Sequence, residues 1–244
     1  NGFNITNSFR SLNFAQVPFE AIAEQETKTG GYGAEFGRSL GGVVNQVSKR
    51  GTNEFHAGGN IFWSPDSLRS DVENTYLSNP LVPGDLGDLR SDNSKDTLGA
   101  MSASAWASGA LIKDKLFAYG LISYSKVDQD YWGSVLSRTN NKESEKGDPT
   151  WLVKLDWNIN EDHHLEFTGL SDKRTTTTKT YLNTPGELDR GDLVGTSYAE
   201  SGGENYIFRY TGYLTDTFSM SALYGTSEYS RSRRLVTADG TEVE

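Results

Sequence analysis

Cysteine is absent from the 244 residues, and methionine (two), histidine (three) and proline (six) are scarce. Without thiols there is no disulfide scaffold, no thiolate zinc centre and no cysteine nucleophile. His163 and His164 are adjacent, so in a strand their rings point to opposite faces and cannot share a metal, and His56 lies on a different predicted strand. No G-x-S-x-G elbow and no G-x-x-x-x-G-K-[ST] loop occurs. We therefore read the chain as no enzyme and assign it no cofactor and no metal. The acidic series Asp85, Asp88, Asp92 and Asp96 lacks the EF-hand spacing and its central glycine, which leaves a solvated loop as the better reading than a calcium site. A net charge of −10 argues against nucleic acid as a partner. No apolar run approaches the roughly 20 residues of a spanning helix, and mean hydropathy is −0.59. A β-barrel stays open, because its strands need only about 9–11 residues with every second one apolar. The chain opens at Asn1 with no initiator Met, basic n-region or apolar leader, and we read it as an internal piece of a longer protein.

Glycine, in contrast, is plentiful, and it is concentrated early. Gly30, Gly31, Gly33, Gly37, Gly41 and Gly42 crowd one short span, where backbones need unusual angles or close approach. A phosphate cradle is one reading. It fails on spacing, since after Gly31 and Gly33 the next glycine is Gly37, too late for G-x-G-x-x-G. The run Glu24–Lys28 before it is also too polar for a central parallel strand. The local pattern predicts a turn and strand over Phe19–Thr29, one helical turn at Ala34–Ser39 and a strand over Leu40–Val47.

From Glu54 onward hydrophobicity alternates. Phe55, Ala57, Gly59, Ile61 and Trp63 share a face; a strand over Thr97–Leu111 turns at Lys113–Asp114 into Leu116–Lys126, with Phe117, Tyr119 and Leu121 on one face. Trp151, Val153, Leu155, Trp157 and Ile159 alternate without a miss against Leu152, Lys154, Asp156 and Asn158. Asn160–Asp162 turns into His163–Arg174. Tyr206–Leu214 turns at Thr215–Thr217 into Phe218–Tyr224. Polar stretches at 65–96, 128–149, 175–203 and 231–244 read as loops. Connections thus run long, short, long, short. Strands of roughly 10–14 residues exceed the ~5–6 of globular sheets. Short turns on one side and long loops on the other are the pattern of outer-membrane barrels, and a sandwich has no reason to show it. Trp151, Trp157, Tyr206 and Phe218 fall near strand ends, where interfacial aromatics sit. Lys154, Asp156, His164, Glu166 and Arg209 fall on the opposite face, which suits a wet or plugged interior better than an apolar core.

Gly41-Gly42-Val43-Val44-Asn45 and Lys49-Arg50-Gly51-Thr52-Asn53-Glu54-Phe55-His56, together with Pro18-Phe19-Glu20 and, downstream, Leu111–Phe117, resemble TonB-dependent outer-membrane transporters of the Oar-like subgroup. The resemblance implies a mainly β chain. Residues 1–53 would be the later part of a small α+β plug domain, and 54–244 the first seven or so strands of a large antiparallel transmembrane β-barrel of about 22 strands. It implies active transport driven by the proton-motive force through a TonB complex that binds a segment outside this chain. Outer-membrane lipid, lipopolysaccharide and a transported substrate of unread identity are the other partners. The plug motif would comprise Gly30, Gly31, Gly37, Gly41, Gly42 and Asn45. Its charges Glu35, Arg38, Lys49 and Arg50 would meet wall charges such as Asp156 and Glu166, with Gly37, Gly41 and Gly42 allowing close approach. The acids of the long loops predict an electronegative mouth, suited to a cationic substrate, to divalent bridging of lipopolysaccharide, or merely to solubility. The alternatives are a passive porin or adhesin barrel and a soluble all-β binding module.

Overall fold

A computed structural model describes residues 2–6, 15–31, 33, 41–77, 87–134, 141–184 and 190–243. Among them the structure is almost wholly antiparallel β, with short 3-10 turns and no α-helix. The helical turn expected at Ala34–Ser39 lies outside the described residues. A 3-10 turn (Phe19–Ala21) leads into β1 (Ile22–Lys28), which pairs antiparallel with β2 (Val43–Ser48) in a sheet of two.

The main sheet has 11 strands. β3 (His56–Ser64) is followed by a small ribbon, β4 (Thr75–Tyr76) with β5 (Leu89–Ser91), in the first long connection. Then come β6 (Thr97–Ile112), β7 (Leu116–Tyr131) and β8 (Asn141–Asn158). β9 (His163–Ser171) and β10 (Arg174–Tyr181) both pair with β8. β11 (Leu193–Gly202) and β12 (Glu204–Thr215) pair with β10 and β9, and β13 (Phe218–Ser227) and β14 (Ser230–Thr237) pair with β12 and β11. β15 (Glu242–Val243) returns along β14.

The register shows that these segments form fewer, longer strands. Ser171 faces Glu204 and, past the break, Arg174 faces Ser201, so no residue is gained or lost. Asn205 faces Ser227 and Gly202 faces Ser230 in the same way. β9 with β10, β11 with β12, and β13 with β14 are therefore single strands interrupted at one level. With β3, β6, β7 and β8 they make an up-and-down meander of seven. The break has local causes. Pro149 has no N–H for the ladder, and the Asp148 carboxylate beside it accepts the N–H of Thr175. Gly202 has φ +94, and a Cβ at Gly203 would collide with the Glu228 carbonyl, so glycine is required at both positions.

The polar stretches 128–149 and 175–203, expected as loops, are thus largely strand. β7 and β8 stay paired out to Tyr131 and Lys142, and β10 and β11 are a full ribbon. Polar side chains on both faces carry no alternation to read, yet nothing prevents a ladder from continuing past the apolar band. The turns at 113–115, 159–162 and 216–217 are as short as expected. Asp114 takes φ 62 in the first of them. No closed barrel forms among the described residues, since the sheet is open along β3 at one side and along β13 and β15, with the rest of β14, at the other.

Candidate functional site

The two faces of the meander differ in kind. One bare row across it reads Ala57, Ala107, Gly120, Val153, Gly169 and Tyr206. From the short turns up to Trp63, Met101, Tyr124, Trp151, Tyr206 and Tyr224, this face bears no Asp, Glu, Lys or Arg. Ile61, Trp63, Ile122, Phe208, Leu214 and Phe218 are all exposed on it. The expected interfacial aromatics lie at its two edges. Trp151 sits 6.4 Å from Tyr206 and Tyr206 stacks 6.5 Å from Phe167, whereas Trp157 and Phe218 stand by the short turns. The first charges on this face are those of Lys126, Lys173 and Glu204, and Lys173 donates to Glu204 at 2.8 Å. Tyr206 reaches the same carboxylate with its hydroxyl at 2.8 Å. His163 and His164 point to opposite faces, to Tyr210 (2.6 Å) and Asn158 (2.8 Å).

The other face is covered by the N-terminal segment over its middle strands, while Phe62, Tyr213 and Leu223 towards its margins stay exposed. Tyr119, Leu121, Leu152 and Leu170 are buried there against Ala15 and Ala21, with Ile5, Val17 and Trp106 around them. So the apolar set Phe117, Tyr119 and Leu121 belongs to the covered face, and Leu116, Ala118, Gly120 and Ile122 to the bare one. The Phe3 ring occupies the space a Cβ at Gly225 would need.

Four polar contacts fasten the segment to the wall. The Arg50 guanidinium lies 3.5 Å from Glu166 and 4.0 Å from Asp156, and the fully buried Lys154 ammonium lies 3.9 Å from that same Asp156 oxygen. These are ionic contacts rather than hydrogen bonds. Arg209 faces Glu166 across the ladder. Asn53 and Asp114 form a reciprocal pair: the Asn53 amide donates at 2.5 Å, and the Asp114 N–H donates back at 2.9 Å. The two sequence motifs, around Gly51 and around Asp114, are therefore in contact. Between them a Cβ on Gly51 would come within 2.5 Å of the Ala118 carbonyl and 2.7 Å of that of Gly109.

The third contact is Glu20. Its carboxylate accepts from the Asn60 amide at 2.6 Å, with the Ser104 hydroxyl 3.1 Å away, and its carbonyl accepts from Tyr119 at 3.0 Å. Burial alone would raise its pKa, but the hydrogen bonds from Asn60, its own backbone and Ser104, with nearby Lys49, hold it below the usual glutamate value. Fourth, the buried Asp172 accepts from the Gln16 N–H at 2.7 Å and from the Gly203 N–H at 2.9 Å. Glu20 stands in the sequence only within the Pro18-Phe19-Glu20 resemblance, with no role assigned, and nothing in the sequence marks Asp172, which lies in the break itself.

The remaining expected residues are placed as follows. Glu35, Gly37 and Arg38 lie outside the described residues. Lys49 sits 5.7 Å from the Trp106 ring centre and, among the described residues, meets no wall carboxylate as an ion pair. Lys49, Arg50, His56, Trp106 and Tyr119 line a cavity of about 350 Å³ between segment and wall. Asn45 faces Glu26 within the small sheet. Gly30 and Gly41 have open space around them, Gly31 takes φ +67, and a Cβ on Gly42 would come within 3.0 Å of the Lys28 carbonyl. Gly51, Gly202 and Gly203 make the close approaches expected of the earlier glycines. No group of three or more His, Asp or Glu suited to a metal occurs among the described residues. No helix there is long and apolar enough to cross a membrane, which says nothing of strands.

An antiparallel meander with one uncharged face and one face covered by a polar-fastened segment is compatible with part of a barrel-like β protein. Over 120 residues the chain is 31% identical to the TonB-dependent transporter Oar of Myxococcus xanthus, a match that covers 48% of this chain and 10% of that protein. The chain thus spans about a tenth of the relative's length, and the likeness supports kinship with that transporter family. No family model matches, and no solved structure matches.

Proposed function

We propose that the chain is part of a TonB-dependent outer-membrane transporter: residues 1–53 the later part of the plug, and 54–244 the first strands of the barrel. The observation that carries this reading is the contrast between faces. An uncharged strand face with exposed Trp, Phe, Ile and Leu is costly in water and natural against lipid. The face behind it holds Lys154, Asp156 and Glu166, which lipid would not tolerate, and Arg50 of the N-terminal segment meets two of them. A wall so covered is a plugged barrel rather than an open pore.

On this reading, the plug blocks the lumen while a solute binds from outside. Force from the TonB complex, fed by the proton-motive force of the inner membrane, then displaces the plug. Arg50, Asn53, Glu20 and Gln16 are the points at which the plug is held, and their release is the work TonB performs. None of them is a covalent or metal bond, so each breaks and reforms in every cycle.

The test uses the full-length protein. It should fractionate with the outer membrane and show heat-modifiable migration in detergent; a soluble protein without that shift ends the reading. Cells carrying it should accumulate some solute that cells lacking it do not, and an uncoupler should abolish the difference. Accumulation that survives the uncoupler would make it a passive barrel.

A further inference from the structure

Above the break at 148–149, 172–173, 203 and 228–229, the covered face continues as the wall of the strand extensions β10, β11 and β14. Parity carries the facing across the break, because the register does not slip. Lys146 opposes Thr176, Arg174 opposes Ser201, and Ser201 and Ala199 in turn oppose Arg231 and Arg233. Adjacent strands lie ~4.8 Å apart and same-face positions ~6.8 Å apart along a strand. The four cations therefore form one patch on one face, interleaved with hydroxyls. Arg233 donates to the Ser197 hydroxyl at 2.9 Å, and Ser144 meets Thr178 at 3.2 Å. Among the described residues none of the four has a carboxylate at ion-pair distance. The acids on this face are engaged elsewhere: Asp148 accepts the N–H of Thr175, and Asp172 those of Gln16 and Gly203. Glu200, Glu204 and Glu228 belong to the opposite face.

We propose that this patch is a ligand-binding wall and that the ligand is anionic, bearing carboxylate, sulfate or phosphate groups. The inference rests on the transporter reading and names the substrate class that reading leaves open. Unpaired guanidinium groups beside neutral hydroxyls suit such groups, since arginine offers forked donors and no competing acid neutralises it. The acidity of the whole chain is no guide to this patch, because the loop acids lie outside it and three of them are already held. Asp66 accepts from the Leu98 N–H at 2.8 Å, Asp92 from Ser94, and Asp96 from the Trp132 N–H at 2.8 Å. A cationic substrate, one of the options read from those acids, would meet repulsion once inside the mouth.

Adjacent residues on opposite faces supply the control. Arg233 faces the patch, whereas Arg234 lies over Tyr198 and pairs with Glu242 on the other side. The experiment titrates full-length protein in detergent with dextran sulfate and with uncharged dextran at low salt. Dextran sulfate should bind at least about tenfold more tightly, with the advantage falling as salt rises. The combined variant Arg174→Gln, Arg231→Gln, Arg233→Gln should lose about tenfold, and Arg234→Gln should lose nothing. Equal binding of both dextrans overturns the proposal, as does an unaffected triple variant or an equal loss in Arg234→Gln. Heat-modifiable migration separates the layers. A protein that shifts on heating but does not discriminate overturns the ligand class alone, and one that does not shift overturns the transporter reading and this inference with it.

Discussion

Leu152, Lys154 and Asp156 alternate along β8 with Val153, Leu155 and Trp157, and the two sets differ in what surrounds them. Leu152, Lys154 and Asp156 are 1%, 0% and 7% exposed, whereas Val153 and Trp157 are 37% and 45% exposed. For the charged pair Lys154 and Asp156 against Val153 and Trp157, exposure runs opposite to polarity. In a soluble sheet the apolar set would be the hidden one. Here the charged pair is hidden under the N-terminal segment and the apolar set is bare, which on the transporter reading is the arrangement of a wall against lipid. One strand therefore carries two design problems. The bare face needs only apolar surface, and small residues such as Ala107 and Gly120 satisfy it. The covered face needs matched shapes and matched charges, and there single atoms matter.

The sharpest way to test the contrast is to add one methyl group to each face. Gly51→Ala should prevent the segment from seating, because the new Cβ meets two fixed carbonyls; we expect a loss of about 3–5 kcal/mol or failure to fold in a refolding titration. Gly120→Ala on the bare face, with open space around it, should stay within about 0.5 kcal/mol of the parent. Equal losses would mean that the segment does not pack as described.

Charge gives a somewhat smaller effect. Ser221 and Ala222 are neighbours on β13 and both are exposed, but Ser221 opposes Thr211 on the covered side and Ala222 opposes Tyr210 on the bare side. Ala222→Arg should cost about 2–4 kcal/mol in a lipid refolding assay, and Ser221→Arg less than about 1. Similar costs at both positions would remove the lipid. Asp156, which the alternation alone would offer as a tolerant site, is not one. It lies between Arg50 and Lys154, so a cation there would face two others.

Arg50→Gln should loosen the N-terminal segment by about 1–2 kcal/mol, less than a fully buried pair because Arg50 is half exposed. Combined with Glu166→Gln the loss should be less than additive, by about 0.5–1 kcal/mol, in plug release by urea. Strict additivity would mean that the two groups do not interact.

The smallest effect is a pH dependence. Glu20 has its pKa lowered in the folded protein, so its contribution is present above the ordinary glutamate pKa and is lost as pH falls through the folded value. Plug release should become easier on acidification over that range, and Glu20→Gln should flatten the dependence. An unchanged slope in the variant would assign the acid sensitivity to another group.

The alternation Trp151–Ile159, the turns at Lys113–Asp114, Asn160–Asp162 and Thr215–Thr217, and the seven-strand count follow from periodicity, because a strand with one apolar face places an apolar group at every second position. The same rule reaches no further than the apolar face does. At 128–149 and 175–203 polar residues stand on either side of the described strands, so the ladder leaves no period to read. Opposite faces for His163 and His164 also followed from strand geometry alone.

What neighbours the strands have was decided by tertiary structure. Nothing local in Pro18-Phe19-Glu20 announces Asn60, Ser104 and Tyr119 as partners, because those groups come from three different strands. Gly51 and Gly203 are required by carbonyls distant in sequence, at Gly109, Ala118 and Glu228. Likewise, the alternation separates Phe117, Tyr119 and Leu121 from Ala118 and Gly120 but not which set meets lipid. An apolar side chain suits lipid and a packed interior equally, and only the position of the covering segment breaks that tie.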